Sequence, residues 1–287
     1  MTERSAEFYF ESDPEFPPDV LEALSQNDVM PAIFEWYKHV GLTVHHVACL
    51  IDQSPAFRLA HSGHWAVLRG MLHRCCRLML ANVALTHKGV FGDAAKIFDR
   101  CIFETTIKVR WLCQSEEFQR YLASSLKPER DFKARLLQDI ASQNGTPTPI
   151  QDRMLASMER HRRLAGVEWE EVQAAKKLPP LDSMMASLGI DPLGYMVSQQ
   201  IGSHAIHASW PSLLSDYLVV EDDDSFGLRD HDVEPHPAQF AAAILQVLEA
   251  AVAVVRYSFQ PQDGDGLADD IAGLRDRFRD FYLQHQS

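Results

Sequence analysis

Asp93-Ala-Ala-Lys-Ile-Phe-Asp-Arg100-Cys-Ile-Phe-Glu104-Thr-Thr-Ile-Lys-Val-Arg-Trp-Leu-Cys113 decides the fold class. Lys96, Arg100, Glu104 and Lys108 recur every four residues, so they form one stripe along a helix. An ordinary surface stripe has polar neighbours, whereas Ile97, Phe103, Ile107 and Trp111 share this arc. Phe98, Ile102, Val109 and Leu112 occupy the other side, and a helix apolar nearly all round is central to its domain. Asp93 reads as its N-cap. Arg100 and Glu104 are then expected to be partly buried, and buried charges need partners.

Working outward, the helical period extends over almost the whole chain. Ile33, Phe34, Tyr37, Val40, Val44, Val47 and Ile51 follow Pro31 at three- and four-residue steps, with His39 and His46 on one face. Trp65 to Val83 gives a long helix from His64 to His87, with Arg69, Arg74 and Arg77 outward. Glu116 to Ser142 reads as helix interrupted at Pro128. Segment 144–149, Asn-Gly-Thr-Pro-Thr-Pro, reads as an internal linker before a charged helix from Gln151 to Leu164. Asp191-Pro192 starts a helix expected to end near Trp210, and two further helices cover Pro237 to Phe259 and Leu267 to Leu283. No alternating strand pattern is found. The expectation is an all-α multi-helix bundle with long central helices and no sheet, built as a single domain over 17–287 behind a loose acidic tail of residues 1–16.

The 287 residues are 46% hydrophobic and 23% charged, an ordinary globular balance. The net charge of −13 argues against a general nucleic-acid binder, since phosphate neutralisation needs clustered cations. The charge is uneven, however: Arg58 to Arg110 holds nine Lys or Arg against three acids, so an RNA or protein partner is expected there. Asp216 to His236 carries eight acids against Arg229 alone. Cys49, Cys75, Cys76, Cys101 and Cys113 lack Cys-x-x-Cys spacing and read as reduced thiols of a cytoplasmic protein. The most apolar run, Ala241 to Val255, is too short to span a bilayer, so no membrane association is expected. Its alanines, among them Ala242 and Ala251, would let a second copy approach, and a homodimer is one expectation.

Chemistry concentrates in Ser203-His-Ala-Ile-His207-Ala-Ser-Trp210. Ser203 and His207 are four apart and share a face. One reading has His207 as an acid–base group oriented by Glu104, with Arg100 holding an anion; the other is a buried polar network that locks two helices together. No metal or cofactor is expected. Paired Glu-x-x-His motifs are missing, His61-x-x-His64 and His204-x-x-His207 have no carboxylate close by in sequence, and Asp222 to Val233 lacks the closing Glu of a calcium loop.

Arg100-x-x-x-Glu104 followed by Trp111-Leu112, with the later Ser203-x-x-x-His207-x-Ser209, resembles a group of bacterial all-helical proteins of unknown function over about Leu68 to Tyr257. The tyrosine that often stands four residues before that serine is Gln199 here. The resemblance implies a helical bundle. A more distant likeness is to HEPN helical domains, many of them ribonucleases, through Arg58-x5-His64. Together these suggest a metal-independent phosphodiester hydrolase with Arg100, Glu104, Ser203 and His207 as its site, against a non-catalytic interaction module.

Overall fold

The computed structural model describes residues 12–50, 62–143, 145–191, 206–207, 209–222, 225–230, 232–259 and 261–285. It is 76% helical, which makes the class all-α. Five long helices carry the main core: α2 (Met30–Leu50), α3 (Ser62–Thr86), α4 (Gly92–Ser115), α11 (Pro237–Ser258) and α12 (Pro261–Gln284). The short α1 (Pro18–Ser25) leads into α2, whose first N–H is accepted by the Asp28 carboxylate at 3.1 Å. Helix α4 packs against α3 and α11, and α11 in turn against α2 and α12. Aromatic contacts bind these helices: Tyr37 meets Phe240 at 4.9 Å and Trp36 meets Phe278 at 5.3 Å. Each such side chain, removed from water, stabilises the fold by about 1.5–3 kcal/mol.

Helix α11 is long and apolar enough to cross a membrane by length and composition, contrary to the shorter run read from sequence. Here Ala241, Ala243, Ala250 and Ala251 are buried within the chain, and only Ala242 of the five small residues faces outward. Close helix approach is thus used inside the bundle.

Between α4 and α11 the chain adds a satellite of short helices. The expected break near Pro128 falls at Leu126, between α5 (Phe118–Ser125) and α6 (Lys127–Ser142), with the proline tolerated in the first turn. The 144–149 stretch ends in a capping box: the Gln151 N–H donates to Thr148 Oγ1, and the Thr148 N–H donates to Gln151 Oε1. This opens α7 (Pro149–Ala165), followed by α8 (Trp169–Ala174) and α9 (Leu181–Ser187). Ala123, Leu126, Val167 and Val172 form a small core of their own.

Two expectations need correction here. The helix read from Asp191-Pro192 falls largely on residues 192–205, outside the described ones, and it does not continue to Trp210, because His207 forms a turn. Trp210 instead opens a new short turn, α10 (Trp210–Ser212), with Ser209 in the N-cap position, because Pro211 is suited to a first turn. The chain also contains a sheet. Leu218–Val220 (β1) and Phe226–Leu228 (β2) pair antiparallel, with Val219 opposite Gly227. Three-residue strands of Leu-Val-Val type offer no alternation to read, so the hairpin escaped the sequence pattern.

Candidate functional site

The stripe on α4 is charged and largely covered. Arg100 donates from Nε to Glu104 Oε1 at 2.7 Å, and its Nη2 lies 2.6 Å from the same oxygen. Lys108 Nζ stands 3.5 Å from the other carboxylate oxygen. Only 11% of the Arg100 side chain is exposed, against 35% for Glu104. Phe103, Ile107 and Trp111 are buried as the arc predicts. Ile97 is the exception at 42% exposed, and the first turns of α4 meet a polar neighbour.

That neighbour is the segment from Ser215 to Glu234. Lys96 pairs with Asp216, whose side chain is 3% exposed, and Ser215 donates its hydroxyl to the same carboxylate at 2.8 Å. Tyr217 donates to Asp93 Oδ2 at 2.8 Å. That hydrogen bond first, then burial and the charges of Asp93 and Asp216, push the Tyr217 phenol up to about 12. Asp93 is therefore not the cap. The N-cap is Phe91, in left-handed backbone (φ 59°), and Gly92 N donates to Val233 O at 2.7 Å. A Cβ on Gly92 would lie 2.4 Å from Glu234 O, so only glycine admits this crossing. The junction encloses an open cavity of about 460 Å³ lined by Phe91, Asp93, Asp216, Tyr217, Arg229 and Asp230, among others.

Of the four residues singled out in sequence, the structure brings Arg100 and Glu104 together. His207 is exposed at the turn after Ile206, and no hydrogen bond or ion pair joins it to Glu104. Ser203 lies outside the described residues, as does His204. Among the described residues no group of three His, Cys, Asp or Glu side chains is set to hold a metal ion.

Sequence reasoning missed a second polar cluster, in the core where α2, α3 and α4 meet. Asn82 Nδ2 donates to Asp99 Oδ1 at 3.3 Å and to the Tyr37 hydroxyl at 3.4 Å. Asp99 Oδ2 and Asn82 Oδ1 are shut from solvent without a partner. Burial pushes the Asp99 carboxyl up to about 7, opposed by the Asn82 hydrogen bond. Burial, and next the charge of Asp99, raise the Tyr37 phenol well above its usual range. The signal was available: Asp99 sits within the arc of Ala95, Ile102, Phe103 and Thr106, all buried. Such a carboxyl can hold or release a proton near neutrality, a property that functional sites share with structural networks.

These features define a predominantly helical protein with charged and protonatable clusters on one central helix. Residues 65–226 match the model of a family of unknown function, DUF5677; since this is more than half of the chain, the protein belongs to that family. The match runs from α3 to β2 and takes in Asn82, Asp99, Arg100, Glu104, His207 and Asp216. Comparison with curated proteins and with solved structures found no match.

Proposed function

We propose that this protein is a metal-independent phosphodiester hydrolase acting on RNA, in which His207 is the acid–base group and Arg100, held by Glu104, binds phosphate, with Ser203 the remaining candidate of the sequence. The observation that carries the reading is the exposure of His207, because a histidine that transfers protons to substrate must be reachable, whereas a structural one would be sealed. The substrate class is supported by α3, which has no acidic residue from Ser62 to Thr86 and exposes Arg69, Arg74 and Arg77. The likeness to HEPN domains points the same way. The test is cleavage of a fluorescent single-stranded RNA in the presence of a chelator. His207→Ala should lower the rate about 10²–10⁴-fold without changing RNA affinity, and Arg100→Ala should weaken both.

One observation favours a second reading, a non-catalytic interaction module. Glu104 is neutralised along its own helix by Arg100 and Lys108, as a structural network would be. RNA turnover that is absent in the wild type, or unchanged in His207→Ala, selects this reading.

A further inference from the structure

Away from α4, one face of the bundle gathers imidazole and thiol groups. His45 and Cys49 lie one turn apart on α2, and His73 reaches them from α3, which packs along α2. His45 Nδ1 stands 3.1 Å from His73 Nδ1. Cys49 Sγ lies 3.9 Å from His45 Nδ1 and 3.7 Å from Nε2. His73 is exposed, and His45 and Cys49 are half-buried, so an ion from solvent can reach the group.

Two ring nitrogens at this distance either share one proton or can share one cation. With metal–nitrogen bonds of about 2.0–2.1 Å, a 3.1 Å separation corresponds to an angle of roughly 100° at the ion, between square and tetrahedral values. We propose that His45, His73 and Cys49 form a binding site for a thiophilic transition-metal ion, copper(I) or zinc(II). The two Nδ1 atoms are the pre-set pair. Among the described residues no three ligands already converge on one point, so the thiol closes on the ion by turning about its Cα–Cβ bond and losing its proton to solvent. Mixed imidazole and thiolate donors exclude magnesium and calcium, which take oxygen ligands. Sequence spacing does not reveal the site, because the two histidines are 28 residues apart.

The experiment titrates the reduced full chain with zinc(II) or copper(I) against a chromophoric chelator. One ion per chain is expected. His45→Ala and His73→Ala should each weaken binding at least about 100-fold, beyond the loss of an outer-shell partner. With cobalt(II) as probe, the wild type should show a thiolate-to-metal charge-transfer band that Cys49→Ser lacks. Circular dichroism on each variant separates ligand loss from unfolding. Absence of binding by the wild type, or equal affinity in the His45→Ala/His73→Ala double variant, would overturn the site and leave the pair as an N–H···N hydrogen bond. A charge-transfer band that persists in Cys49→Ser would overturn the three-residue assignment.

Discussion

Replacing Asp99 by Asn removes an ionisation that the core resists while keeping the shape and a hydrogen-bonding group beside Asn82. In the folded protein the Asp99 carboxyl is raised from its ordinary 3.8 to about 7. The folded state therefore binds more protons than the unfolded chain between these values, and the wild type loses stability as pH rises through that window. Below about pH 4 both states are protonated and nothing is lost; above about pH 7 both are ionised and the full penalty applies. A shift of about three units at 1.36 kcal/mol each sets that penalty at about 4 kcal/mol, an upper bound because water and side chains relax around a charge. Urea unfolding of wild type and Asp99→Asn across pH 4 to 8 measures it, since all other titrations cancel in the difference. The stability of the variant relative to wild type should rise by up to about 4 kcal/mol from the acid to the neutral end. A difference that stays flat, or falls, would refute the buried-carboxyl argument.

Two further outcomes are expected. Lys96→Met should cost about 3–5 kcal/mol by stranding the Asp216 carboxylate, and Lys96→Met/Asp216→Leu should recover most of it, both read by urea unfolding. Glu104→Ala and His207→Ala should be additive in stability within about 0.5 kcal/mol, because Glu104 is satisfied by Arg100 and Lys108 with no hydrogen bond to His207; a coupling above about 1 kcal/mol would put both in one cluster.

The long helices were legible because their apolar period repeats over many turns: α2, α3 and α11 start and stop within a few residues of the boundaries read from sequence. Arg100 and Glu104 were legible for the same local reason, since helix geometry alone brings residues four apart together. What escaped depends on the return of distant chain. Lys96 and Asp216 are 120 residues apart, and the start of α4 is set by the Glu234 backbone crossing Gly92, which no capping preference encodes. Asp99 lies between these cases. Its charge was visible, and its place among buried neighbours followed from the same helical wheel, but its partner Asn82, and Tyr37 to which Asn82 also donates, come from two other helices.

Most helices fray at their first turn, where four amides lack partners within the helix. In α4 that turn is fastened to the acidic segment at three successive places: Gly92 to Val233, Asp93 to Tyr217, and Lys96 to Asp216. The beginning of the helix is therefore its mechanically fixed end, and the hairpin between those anchors acts as a handle on it. Arg100 follows Gly92 by eight residues, about 12 Å along a stiff rod. Phe226 and Leu228 stand exposed on that hairpin, at the surface end of the anchored junction. The acidic segment thus does for the first turn of α4 what a capping side chain does elsewhere.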